Sequence, residues 1–284
     1  MNTDNFERLR EWIGKTESRN DLATAWPVAA LSATLDRDDP PPQIGDALPP
    51  AWHWLYFLEA KPASELGPDG HPRRGGFLPP VPLPRRMWAG GRIEFLQPVR
   101  IGDAIRRDSE IMKVESKHGR SGSLVFVTVR HTISANNVVA IQEEHDIVYR
   151  DAAKAGDPPP PGKPAPQAAA WQRNVVGDPV TLFRYSALTF NGHRIHYDLE
   201  YVRNEEHYPG LIVHGPLQTT LLLDLCRRHE QRPVRKLDYR ALHPVFHTER
   251  FTVNGNLSAD GASAELWTAN AQGNYAMAGT AVFA

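Results

Sequence analysis

Two histidines, an amide and a carboxylate fall within eight consecutive positions, as Asn191, His193, His196 and Asp198. Sixteen residues beyond Asp198 come His214, Gly215 and Pro216, at the head of an apolar run. The imidazole of His196 titrates near neutrality, which suits a general base; the bland alternative is a histidine satisfied within a loop. Asn191 can orient a water molecule or simply shape the Asn-Gly turn, and its amide cannot titrate. Asp198 can orient His196 or cap a helix over residues 199–206. Gly215, with no side chain at a helix start, leaves backbone N–H groups open to a substrate oxygen, and Pro216 suits a first helical turn. The set supplies a proton acceptor and an oxyanion site, so it points to an active site.

Other chemistries lack their signatures. His193, His196 and Asp198 resemble a ligand inventory, but no cysteine pair or His-Glu-x-x-His spacing supports them, and no metal is expected. The Gly-x-Gly-x-x-Gly, phosphate-loop and Gly-x-Ser-x-Gly patterns are absent, which argues against a Rossmann cofactor, nucleotide hydrolysis and an α/β-hydrolase. A net charge of −1 over 284 residues gives no field for polyanions, so nucleic acid is not expected as a partner. The single cysteine, Cys226, fits a reducing compartment, no apolar run is long enough to span a bilayer, and residues 1–10 are charged rather than signal-like. A cytoplasmic, soluble protein is expected.

The elements that must position these residues fall into two halves. Residues 157–166 hold six prolines in ten positions, an extended spacer that divides the chain into 1–155, a linker 156–170, and 171–284. In the first half a helix is predicted over residues 3–15 and a buried one over 51–60. Strands follow over 92–96, 104–116, 123–134 and 138–149, with Asn136-Asn137 as a hairpin turn. In the second half a strand is predicted over 181–189 and a helix over 217–228, with cations at its C-terminal end. Strands over 236–242, 249–257, 262–271 and 276–283 complete it, with turns at Asp260-Gly261 and Gln272-Gly273. A helix followed by antiparallel strands in both halves suggests an internally duplicated α+β unit.

At these residues the chain resembles the MaoC-like hydratases and dehydratases. Their pattern runs Gly-Asp-x-Asn-Pro-[Ile/Leu]-His-x-Asp, then Ile-[Ala/Val]-His-Gly; here it is Phe190-Asn-Gly-His-Arg-Ile-His-Tyr-Asp198 and Ile212-Val-His-Gly215. The second match is close and the first is degenerate. Residues 87–95 and 98–103 resemble the first domain of the two-domain branch, which includes mesaconyl-CoA and itaconyl-CoA hydratases and the mitochondrial hydroxyacyl-thioester dehydratase. The resemblance implies a double hot-dog fold, two antiparallel sheets each around a central helix, with a degenerate first half and a catalytic second.

It also implies roles. His196 is the base, Gly215 the oxyanion donor, and Asn191 stands where the family has its aspartate, so either it or Asp198 assists. Arg194, beside the site, suits a free carboxylate on the substrate or alternatively a surface ion pair or CoA phosphate. His193, Tyr197 and His214 are expected to line the substrate. The expected activity is a hydro-lyase hydrating mesaconyl-CoA or itaconyl-CoA to citramalyl-CoA, as a homodimer, with CoA in the substrate and no cofactor. A hydroxyacyl-thioester dehydratase, a thioesterase and a non-catalytic acyl-CoA binder are the alternatives.

Overall fold

The computed structural model describes residues 3–119, 122–151 and 161–284. Its first-half strands are β1 (Thr16–Leu22), β2 (Arg85–Phe95), β3 (Ala104–Gly119), β4 (Gly122–Ala135) and β5 (Val138–Arg150). The second half gives β6 (Trp171–Val176), β7 (Val234–Ala241), β8 (Arg250–Leu257), β9 (Ser263–Ala269) and β10 (Tyr275–Phe283). All ten join in one antiparallel sheet, in the order β1-β3-β4-β5-β2-β7-β10-β9-β8-β6. The first half's order 1-3-4-5-2 recurs in the second as 6-8-9-10-7, which is the duplication expected from the sequence. The expected pair of sheets is therefore continuous: β2 and β7 pair from Gly90↔Arg240 to Glu94↔Lys236.

The second half is built around α5 (Gly215–His229), which lies across all five of its strands. Residues 217–226 of this helix are buried on every side, so its leucines serve the core rather than one amphipathic stripe. The first half has no such helix among the described residues. The segment expected as a buried helix over 51–60 is only a single 3-10 turn, Trp52–Leu55, bracketed by Ala51 and Phe57 in the left-handed region. Trp52, Leu55, Tyr56 and Phe57 pack with Ile93, Ile105, Ile133 and Ile141, where a longer helix would lie. At the other end α1 (Thr3–Arg10) places Leu9 against Ile111, Val125, Val127 and Tyr149. Helix α1 stops well short of the predicted residue 15, because a turn ending at Gly14 (φ 83°) leads directly into β1.

Another difference matters for function. Residues 181–189, read as a strand, lie in α3 (Pro179–Leu188). Asp178 caps it, accepting from the Val180 and Thr181 amides at 3.0 and 3.2 Å, with Pro179 at the first helical position. Leu182, Tyr185, Ser186 and Leu188 face inward at helical spacing. An unforeseen helix, α2 (Ala25–Thr34), packs on α3. Of the expected linker, residues 156–160 lie outside the described residues. No helix among the described residues is long and apolar enough to cross a membrane.

One buried carboxylate ties these parts together. Asp224 on α5 is almost wholly enclosed and meets Arg37 after α2, Arg173 on β6 at 3.0 Å and Arg228 at 2.8 Å. Asp224→Ala leaves three guanidinium groups without their shared anion, and should lower stability by about 3 kcal/mol, as is usual when one side of a buried pair is removed. A denaturant midpoint unchanged from wild type would show that Asp224 does not hold the helix to its surroundings.

Candidate active site

Helix α3 ends in a Schellman turn: the Asn191 amide donates to the Ser186 carbonyl at 2.8 Å and that of Phe190 to Ala187 at 3.3 Å. Phe190 takes the left-handed position usually given to glycine (φ 48°). The chain reverses there, and the Asn191 Oδ1 accepts from the His193 amide at 3.0 Å. That oxygen shapes the turn. A 3-10 turn, Arg194–His196, then carries His196 inward, and the backbone crosses to the segment before α5 through the Ile212 amide and the Ile195 carbonyl at 3.0 Å.

His196 is buried, and its Nδ1 lies 2.7 Å from the Ile212 carbonyl oxygen. A carbonyl only accepts, so Nδ1 carries the proton and Nε2 keeps its lone pair. Burial pushes the imidazole down to about 4, against the opposing effect of the Ile212 bond, so it is neutral at physiological pH. Its ring stacks on that of His214, with centroids 3.6 Å apart and planes 19° from parallel. His214 is fully buried, shares a 2.8 Å hydrogen bond through Nε2 with Ser186 of α3, and has no partner for Nδ1 among the described residues. Burial, then His196 and His193, hold it far below the usual histidine range.

The next residue, Gly215, opens α5, where first-turn amides have no intrahelical acceptor. It must be glycine. A Cβ there would come within 2.9 Å of the Trp88 ring, and that indole is itself wedged against Trp54, His145 and Tyr239. A first-half side chain on β2 thus roofs the start of the second-half helix. The expected base and oxyanion donor are brought together, since the His196 ring touches the residue preceding the Gly215 amide.

Three expectations take the bland form. Asp198 does not reach His196: it caps α4 (Leu199–Asn204) through the Tyr201 amide at 3.0 Å and grips Arg194 at 2.8 and 3.0 Å. Arg194 also donates to the Pro68 carbonyl and stacks over Tyr201 at 4.2 Å. Its guanidinium is committed to surface contacts and does not present itself to a substrate carboxylate. Tyr197 is exposed, donating to the Gly192 carbonyl at 2.9 Å. His193 does face inward, 5.5 Å from the His196 ring; burial first, then His71 and His196, lower it strongly.

His193, His196 and Asp198 share no common point, but a different trio does. Asp69 and His71, from the first-half loop before β2, converge with His193, one ligand-type atom from each lying within 4.8 Å of the others. Sequence reasoning passed over both residues; the only local signal was a carboxylate and an imidazole two positions apart in the turn-rich Gly67-Pro68-Asp69-Gly70-His71-Pro72. A separate cavity of about 730 Å³ opens at the far end of α5, lined by His53, Phe95, Ile141, Cys226 and Arg227, and none of the residues above faces it.

A strained turn, a neutral buried imidazole with one free lone pair, and open helix-start amides beside it define a site for proton transfer next to a polarised carbonyl. The model of the hydroxyacyl-thioester dehydratase type 2 family matches residues 51–247, and the chain belongs to that family; its chemistry is that of a hydro-lyase. It is 48% identical over 250 residues to the mesaconyl-C(4)-CoA hydratase of Chloroflexus aurantiacus, covering 88% of this chain and 89% of that one. It is 26% identical over 281 residues to the mitochondrial hydroxyacyl-thioester dehydratase type 2 of Schizosaccharomyces pombe, covering 87% and 93%. A conserved hypothetical protein of Mycobacterium tuberculosis described as having a double hotdog fold superposes with a TM-score of 0.60 at 14% identity, covering 98% and 97%. The fold is α+β, a double hot-dog.

The depressed histidines make stability depend on pH. A histidine with a lowered folded pKa takes its proton first in the unfolded chain, so stability is lost as pH falls from about 6.5 towards about 4. His196 alone accounts for about 3 kcal/mol across that window, and His193 and His214 act with the same sign. Urea midpoints measured between pH 7 and pH 4.5 should fall steeply for wild type and less for His196→Asn; parallel curves would refute the assignment.

Proposed function

We propose that this chain reversibly hydrates mesaconyl-C(4)-CoA to citramalyl-CoA. The observation that carries the reading is His196, with its proton fixed on Nδ1 and Nε2 free, set beside the open amide of Gly215. Water gives a proton to Nε2 while its oxygen bonds the β-carbon. The double-bond electrons move onto the thioester oxygen, which the Gly215 N–H holds, and the α-carbon then takes the proton back from His196. Atoms and charge balance with no co-reactant, so the reading assigns no cofactor and no metal to the reaction. The 48% identity to a mesaconyl-C(4)-CoA hydratase favours this substrate over a plain hydroxyacyl thioester, whose dehydratase is a more distant relative.

The division of labour follows the sheet: the catalytic turn and the oxyanion helix belong to residues 171–284, and the roof to residues 1–155. A homodimer in the cytoplasm is part of the same proposal. Trp26 on α2 and Val180 and Phe183 on the neighbouring α3 are largely exposed, the kind of apolar patch that a second copy covers. The lone Cys226 suits a reducing compartment.

Loss of absorbance of the conjugated thioester, followed with mesaconyl-C(4)-CoA, itaconyl-CoA and crotonyl-CoA, tests the reaction. His196→Asn should lower kcat by at least about 10³-fold with the fold intact by circular dichroism, the upper range for an acid–base residue. Arg194→Met, removing only surface contacts, should change carboxylated and plain substrates alike, within about twofold, as for surface substitutions in general. Thiol release from a saturated acyl-CoA would indicate a thioesterase instead, and tight thioester binding without turnover a non-catalytic binder.

A further inference from the structure

The loop at residues 67–72 is fixed to the catalytic turn backbone to backbone. The Arg194 amide donates to the Asp69 carbonyl at 2.9 Å, and Arg194 Nη1 to that of Pro68 at 3.0 Å. At Gly70 (φ 86°) a Cβ would sit 1.9 Å from the Gly192 carbonyl oxygen, so no other residue permits this approach. What the contact delivers is Asp69 and His71. Asp69 meets the His71 ring, Oδ2 to Nδ1, at 3.1 Å, and that ring lies 4.1 Å from His193, itself 5.5 Å from His196. An ionised carboxylate only accepts, so His71 donates from Nδ1 and keeps a lone pair on Nε2.

We propose that Asp69 and His71 complete the catalytic constellation: His71 accepts a second hydrogen bond from the attacking water, and Asp69 positions its ring. Together they take the place of the carboxylate that the family pattern puts where this chain has Asn191. The assignment rests on the hydratase reading. Asn191 carries no carboxylate and its amide oxygen is engaged by the His193 amide, while Asp198 is turned to Arg194. One ligand-type atom from each of Asp69, His71 and His193 lies within 4.8 Å of the others, and the His193 ring is 5.5 Å from that of His196, so these polar groups converge on one small region beside the base. Burial lowers His71, with Arg86 and Arg74 adding to this and Asp69 opposing it, so the ring is neutral and able to accept. The balance of the addition is unchanged. His196 takes and returns the one proton that moves, while the hydrogen held by His71 stays on the oxygen that becomes the product hydroxyl.

The test is steady-state hydration of mesaconyl-C(4)-CoA by wild type, His71→Ala and Asp69→Asn, with metal analysis of each purified protein. His71→Ala should lower kcat about 100-fold with KM within about threefold, and free imidazole should restore part of the loss. Asp69→Asn should lower kcat about tenfold, acting only through the ring it holds. His71→Gln, which keeps a polar side chain, replaces the alanine variant if that fails to fold. Folded variants with kcat within twofold of wild type would overturn the assignment while leaving the hydratase reading intact. So would stoichiometric metal in wild type that is missing from His71→Ala. A wild type that hydrates none of the enoyl-CoAs overturns the hydratase reading, and this assignment with it.

Discussion

The bond from the His196 ring to the Ile212 carbonyl is the constraint on which the rest depends. It joins two segments distant in the chain: a turn following α3 and the approach to α5. Without it the imidazole could carry its proton on either nitrogen, and Nε2 would not be held as an acceptor. The backbone makes the same connection in the opposite direction, from the Ile212 amide to Ile195. Ile212 is in turn bridged to Phe246, so the acceptor is anchored to the outer part of the fold. Burying His196 lowers its basicity, which the proposed addition tolerates because proton transfer there accompanies carbon–oxygen bond formation.

The sheet carries the second requirement. A continuous ladder across β2 and β7, with Glu94 and Lys236 paired at 2.7 Å along it, fixes the first half relative to the second. That lets Trp88 lie over Gly215, and the 67–72 loop over the catalytic turn, without either being a flexible cover. Among the described residues the first half has no long central helix, and short, heavily aromatic segments occupy its place. A buried carboxylate, Glu143, bound by His53 and Trp54 at 2.8 and 2.9 Å and by His145, sits among them. The two halves share a strand order but fill their interiors differently.

Local features of the fold were legible in the sequence. Asn136-Asn137 and Asp260-Gly261 announce hairpins because the turn itself demands left-handed residues; Asn136 and Asn137 have φ of 49° and 68°. Leu217 and its neighbours announce a helix because nothing in the run breaks one. Residues 181–189 misled because apolar positions there satisfy both periods, and the deciding signal, Asp178-Pro179, lies just outside the window. In the candidate site, His196 and Gly215 stand out in the sequence because each sits in a dense motif. Arg194 could not be placed, since no local rule says whether a guanidinium turns to Asp198 four residues on or to a ligand. Asp69 and His71 were invisible for a plainer reason: they lie more than a hundred residues from His196, and only the docking of one loop brings them near.

That docking has a consequence for how such a chain can change. At Gly70 and Gly192 two main chains approach with no side-chain padding to absorb a displacement, so neither segment can be lengthened, shortened or grafted alone. The first repeat is bound to the second as a key is to its lock. Separating the repeats into independent proteins would discard half of the key's teeth.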